Sequence, residues 1–152
     1  MQVTLEKLIE QGENNPFYKL LSIKIEDVKD GFARLSIEIS KKHIQLLGSV
    51  HGGVIASLAD SAVAWAIYGS GNLIGTPVTV EIKINFLLPI KTGKIIAEAR
   101  TIHRGSRIFV GDVEIKSNEG LLLAKSIATY YIVEKDPTNG NAHARPWQSS
   151  NL

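Results

Sequence analysis

Residues Gly53–Tyr68 form one run that is rich in alanine and apolar on nearly every side. A helix of that composition offers no face to water, so other structure has to enclose it. Gly69-Ser70-Gly71-Asn72 stops the run. The segments around it read as strands. Leu21–Val28 and Phe32–Ile39 alternate apolar and polar residues and are joined by Lys29-Asp30-Gly31, which predicts a hairpin. After Pro77, Val78, Val80, Ile82, Ile84 and Phe86 alternate with Thr79, Glu81, Lys83 and Asn85 over Val78–Leu88. Pro89 and Gly93 mark a turn, and two further strands follow, Lys94–His103 and Arg107–Lys116. Ser117-Asn118-Glu119-Gly120 then turns the chain into a last strand, Leu121–Val133.

Ahead of the first hairpin, Thr4–Gln11 is a short amphipathic helix with Leu5, Leu8 and Ile9 on one face, and Asn14-Asn15-Pro16 is a turn. Ser40–Gly48 is a connecting loop. Strands joined by hairpins make a largely antiparallel sheet. The expected fold is α+β: an antiparallel sheet wrapped around a long central helix, with a second subunit covering what the sheet leaves open.

The chain has 152 residues, enough for one domain with a sizeable core. The expected domain covers residues 1–133. Residues 134–152 are rich in Asn, Pro, Ser and Gly and read as a loose tail, with Trp147 as a docking candidate. A net charge of +2, with Lys and Arg scattered, argues against a nucleic-acid partner. There is no cysteine, which excludes a thiolate nucleophile, disulfides and zinc–thiolate sites. The N-terminal residues do not resemble a secretory leader, and the apolar run carries Asp60 and is short for a membrane helix. The expectation is a soluble, cytoplasmic protein with no membrane partner.

Chemistry concentrates where the long helix begins. His51 precedes Gly52 and Gly53, and paired glycine N–H groups at a helix start suit a developing negative charge. A tight loop-to-helix turn is the plainer use of the glycines, and a loop-capping hydrogen bond the plainer use of His51. Asp60 lies in the middle of the apolar helix, where a carboxylate needs either a task or a partner. It is a candidate general base or nucleophile, or else it is satisfied by the hydroxyls of Ser57 or Ser61. Nine residues separate His51 from Asp60, which on one helix is about half a turn out of phase and about 13 Å along the axis. The two then have separate roles, or they face each other across a two-fold dimer.

Gln45 offers an amide that can position a water or a carbonyl, or is a solvated loop residue. Thr79 can hold a water, or is an ordinary strand residue. Arg104-Gly105-Ser106-Arg107 sets two guanidinium groups about a small turn, an arrangement suited to phosphate, with Lys91 as a possible helper; an ordinary basic hairpin looks the same. Trp65, Tyr68 and Phe86 either line a pocket or belong to the core. No metal-ligand spacing and no phosphate-binding glycine loop is present.

The segments Gly48-Ser49-Val50-His51-Gly52-Gly53, Leu58-Ala59-Asp60 and Val78–Leu87 with Pro89 after it resemble the hotdog-fold acyl-CoA thioesterases, in particular the phenylacetate-pathway type. The resemblance covers roughly residues 20–133. It implies dimers that often pair into homotetramers. It implies that the Gly52 N–H polarises the thioester carbonyl with support from His51, and that Asp60 of the partner subunit activates water or attacks directly. Thr79 would stand near that water, and Arg104–Arg107 would lie where the CoA phosphates rest. Many relatives pair Asn with Asp, and others active on aromatic acyl-CoA pair Gln with Glu; this chain combines Gln45 with Asp60.

The expected function is therefore hydrolysis of an acyl-CoA thioester to a carboxylic acid and free CoA, with no cofactor beyond the CoA of the substrate. A hotdog hydratase or dehydratase and a non-catalytic acyl-CoA-binding protein are the alternatives.

Overall fold

The computed structural model describes residues 4–71, 73 and 75–134, so the expected tail and Trp147 lie outside the described residues. Two short helices open the chain. In α1 (Leu5–Glu13), the Thr4 hydroxyl caps the first turn by accepting from the Lys7 N–H. The Asn14-Asn15-Pro16 turn is a helix start: Asn15 accepts from the Phe17 N–H at 2.8 Å, and Pro16 takes the first position of α2 (Pro16–Leu21). Six residues carry too little periodicity to announce a helix, which is why α2 escaped the sequence reading.

A hairpin follows, β1 (Ile23–Lys29) with β2 (Phe32–Glu38), and then the long helix α3 (Gly52–Gly69). The remaining strands are β3 (Gly75–Phe86), β4 (Lys94–Arg104), β5 (Ile108–Ser117) and β6 (Leu122–Glu134). All pairings are antiparallel, in one six-stranded sheet of order β1-β2-β4-β5-β6-β3. The expected antiparallel sheet with one long helix is therefore observed.

The sheet packs its inner face on α3. Leu35 and Ile37 of β2, Ile95, Ala97 and Ala99 of β4, and Val113 and Ile115 of β5 are fully buried with Leu58, Ala62, Val63 and Ala66 of the helix. Small residues in the middle strands let the helix come close. A Cβ on Gly111 would stand 2.5 Å from Val63 Cγ1, so glycine there is a packing requirement. By length and composition α3 would pass for a membrane span, yet it forms the core of this domain.

The enclosure is incomplete. Gly53, Ser57, Asp60 and Ala64 form a stripe along α3 that stays partly exposed. That stripe runs beside β3, a sheet edge whose Val78 and Val80 are 38% and 62% exposed.

The loop between β2 and α3 is held by His43, whose side chain is buried. Its Nδ1 accepts from the Ser40 N–H at 3.0 Å, and its Nε2 lies 2.9 Å from the Leu21 carbonyl and donates to it. The His43 carbonyl also accepts from the His51 N–H at 2.8 Å, so His43, through its ring and its main chain, ties α2 to the start of α3. Burial pushes the imidazole below its ordinary value, and Lys42 adds to that. The native state thus disfavours a proton that the unfolded chain takes up near pH 6.5. Stability from this group is complete above that pH and is lost as pH falls. The urea midpoint should drop between pH 7.5 and pH 5, and His43→Gln should flatten part of that slope relative to wild type.

Candidate active site

Asp60 stands on the half-open stripe of α3, and two hydroxyls from the sheet hold its carboxylate. The Thr79 hydroxyl donates to Oδ1 at 3.0 Å and is 3.3 Å from Oδ2. The Tyr130 hydroxyl lies 2.7 Å from Oδ1 and also 2.7 Å from the Asp60 backbone carbonyl. Neither neighbouring serine serves the carboxylate: the Ser57 hydroxyl donates to the Gly53 carbonyl at 2.7 Å, and among the described residues Ser61 has no hydrogen bond to it. Both hydroxyls that hold the carboxylate belong to residues far along the chain.

Thr79 reaches Asp60 because β3 departs from simple alternation. A bulge between Thr79 and Glu81 shifts the register by one residue at Val80. Thr79 pairs with the buried Tyr130, so it shares the inner face with Ile82 and Ile84, and Val78 goes to the other face. Uninterrupted alternation would have put Val78 inward and Thr79 outward. The sequence pattern hides the bulge because both phases are made of plausible strand residues.

Tyr130 was not among the residues singled out from sequence. A signal was available: in a strand whose inward positions are Ala124, Ser126 and Ala128, one of the adjacent Tyr130 and Tyr131 has to face inward and find a partner for its hydroxyl. Burial, with the Asp60 charge next in weight, pushes the Tyr130 phenol well above its ordinary value, so it stays a proton donor. A second phenol, Tyr18 of α2, accepts from the Trp65 indole N–H at 3.0 Å and is raised by burial. Trp65 is thereby a core residue with a satisfied N–H, and Tyr68 packs against it with ring centroids 5.5 Å apart.

The other sequence candidates gather elsewhere. A cavity of about 350 Å³ is lined by Gln45, Ser49, Val50, Gly52, Ile55 and the run Phe86–Ile90. Of the three aromatic candidates, Phe86 is the one that lines it. The Gln45 amide donates to the Ser49 hydroxyl at 3.1 Å. His51 caps α3: its Nδ1 accepts from the Gly53 N–H at 2.9 Å, which leaves the ring proton of the neutral imidazole on Nε2. The Gly52 N–H has no hydrogen-bond partner among the described residues. A Cβ on Gly52 would lie 3.1 Å from the Phe86 ring, a tight contact that would crowd the donor. The cavity therefore offers an open backbone donor at a helix start within an apolar wall, a place for a carbonyl oxygen that gains negative charge.

Ladder register fixes the distance between these groups. Arg104, Phe109, Tyr130 and Thr79 form one row across β4, β5, β6 and β3. Arg104 thus shares the Asp60 end of the sheet, about 14 Å from Thr79 at three strand spacings. Lys91 lies before β4, at the opposite end of a strand about 30 Å long, beside the cavity. One chain therefore does not bring Lys91 to Arg104, nor the carboxylate to Gln45 and Gly52. Arg104 donates to Asp30 at 2.7 Å, and Arg107 donates to the Tyr131 hydroxyl at 2.8 Å. Gly105 closes the turn between them with its N–H on the Ile108 carbonyl, and Ser106 is exposed there.

The sequence profile of the thioesterase superfamily matches residues 47–124, which take in the end of the cavity loop, the whole of α3 and the Thr79 strand. The chain belongs to the thioesterase superfamily. Among relatives of this superfamily, the 1,4-dihydroxy-2-naphthoyl-CoA hydrolase of Escherichia coli is 29% identical over 87% of this chain and 96% of its own. A thioesterase from Haemophilus influenzae has a similar structure, with a TM-score of 0.78 and 28% identity over 88% of this chain and 93% of that one. The PaaI protein of the E. coli phenylacetic acid degradation operon superposes with a TM-score of 0.77, at 27% identity over 84% of this chain and 91% of its own. The resemblance to hotdog-fold thioesterases holds, and this member of the superfamily is a thioester hydrolase.

Proposed function

We propose that the protein hydrolyses an acyl-CoA thioester, at sites completed by a second copy of the chain. The observation that carries this reading is the separation within one protomer of a held carboxylate and an open backbone donor. Hydrolysis needs both at one carbonyl. The exposed stripe of α3 beside β3, a sheet edge among the described residues, supports a two-fold arrangement in which each lack is made good by the partner. In that arrangement one protomer supplies Asp60, Thr79 and the Arg104–Arg107 turn. The other supplies Gln45, His51, Gly52 and Lys91. A further pairing of dimers into a homotetramer belongs to the same proposal.

The chemistry follows from the groups. The Gly52 N–H, kept free by the His51 cap on Gly53, donates to the thioester oxygen as the carbonyl carbon turns tetrahedral. Gln45 holds the carbonyl or the water from the cavity side. Asp60 takes a proton from water as its oxygen attacks the carbonyl carbon, and the C–S bond then breaks. The CoA sulfur leaves with that proton, and the acid is released. In the covalent variant, Asp60 itself attacks, and water hydrolyses the resulting anhydride. Either route runs without a cofactor beyond the CoA of the substrate. The guanidinium groups of Arg104 and Arg107 are suited to its phosphates, exchanging Asp30 and Tyr131 for a stronger acceptor. The CoA hydrolase among the relatives supports this substrate class.

Two substitutions at Gly52 separate its two duties. Gly52→Ala and Gly52→Pro both add a Cβ beside Phe86, but only proline removes the N–H. Proline suits the first helical position, and His51 before it is already extended, with ψ 134°. Thiol release from acyl-CoA should fall a further ~10²–10³-fold in the proline variant relative to the alanine variant. Equal rates would remove the N–H from the mechanism.

Asp60→Asn should cut turnover by ~10²–10⁴-fold while CoA binding and the unfolding midpoint hold. Mixing that chain with Gly52→Pro then tests the shared site. In a heterodimer one site carries both lesions and the other neither, and random re-pairing of equal amounts makes about half of the dimers heterodimers, so about a quarter of wild-type activity should return. No recovery on mixing would place the whole site in one protomer.

A further inference from the structure

The hydroxyl of Tyr130 meets two acceptors of the same residue, Asp60 Oδ1 and the Asp60 main-chain carbonyl, each at 2.7 Å. A phenol has one proton to give, so it serves one of them at a time. Tyr130 is 2% exposed and is fixed by the β5–β6–β3 ladder, which leaves rotation of the O–H as its one freedom. Thr79, its cross-strand partner, leans on the same Oδ1. Among the described residues Oδ2 has only the longer 3.3 Å contact to Thr79 and is the less committed oxygen.

We propose that Tyr130 is a positioning residue for Asp60, holding Oδ1 while the carboxylate is ionised and turning its O–H to the Asp60 carbonyl when the carboxyl group is neutral. This rests on the reading of Asp60 as the reactive carboxylate. An ionised carboxylate is the stronger acceptor and draws the proton of the phenol in a charge-assisted bond. Once Asp60 has taken a proton, the main-chain carbonyl becomes the better acceptor, and the hydroxyl reaches it without any heavy atom moving. The buried phenol is thus satisfied in both states of the cycle, and Oδ2 stays the less committed oxygen. The neighbours acting on Asp60 are few. Tyr130 comes from β6 and Tyr18 from α2, β3 supplies the Thr79 hydroxyl, and among the described residues no Lys, Arg or His is paired with it.

Two measurements test this. In the first, the Tyr130 hydroxyl proton is followed by NMR in the full chain, assigned by its loss in Tyr130→Phe. A bond to a charged acceptor predicts a downfield, slowly exchanging resonance that moves upfield in Asp60→Asn. An unchanged resonance means that the proton sits on the main-chain carbonyl throughout, and overturns the proposal. In the second, Tyr130→Phe keeps the ring and loses the donor. Its kcat should fall about 10- to 100-fold with KM within about twofold of wild type. The acid limb of its kcat/KM profile should move to higher pH, because a carboxylate that loses a donor keeps its proton longer. A purely structural tyrosine would lower the melting temperature and leave that limb in place, which also overturns the proposal. Full turnover by Asp60→Asn would instead remove Asp60 from the chemistry, and the NMR result would still decide whether Tyr130 holds its carboxylate.

Discussion

Everything in this domain is arranged around the burial of α3, a helix with almost no polar surface of its own. Fully burying a Leu, Ile or Val side chain contributes about 1.5–3 kcal/mol, and α3 presents five such residues to a sheet that curves to meet it. The contact is close because the sheet offers alanine and glycine in its middle strands, Ala97, Ala99 and Gly111. Once the helix is placed, its two ends and its one carboxylate have no freedom left. Gly52 opens at the cavity loop, and Asp60 falls about 12 Å further along the axis, under the row that holds Thr79 and Tyr130.

That arrangement also explains why the candidate reactive groups are shared out along the fold. A helix passing under a sheet cannot turn one residue back on another eight positions away. The chain therefore carries a donor at one end of the sheet and a carboxylate at the other, and leaves its own edge strand and one stripe of helix uncovered. The hydrogen-bonding capacity of β3 and the stripe at Gly53, Ser57, Asp60 and Ala64 lie on the same side of the molecule.

Much of this was legible in the order of residues. Period-two alternation marked three of the strands, turn residues set off the other three, and the all-round apolar run marked the helix and its need for enclosure. Spacing alone showed that His51 and Asp60 cannot meet on one helix. What the sequence could not show depends on contacts between distant residues. Asn15-Pro16 opens a helix too short to have a visible period. Ser57 and Ser61 were the reasonable partners for Asp60 by proximity, yet the ladder supplies Thr79 and Tyr130 from positions 19 and 70 residues away. His43 looked like one loop residue among many and proved to be the tie between α2 and the start of α3.

The bulge at Val80 has a consequence for how this chain can change over time. It works like a reading frame: the residues before it and after it are in phase with the helix only because one extra position lies between them. A side chain may be exchanged at most points of β3 with local effect. A single residue gained or lost between the bulge and the end of the strand would instead invert every later position, carrying Ile82 and Ile84 out of the core and moving Phe86 off Gly52. The length of this strand is accordingly far less free to vary than its composition.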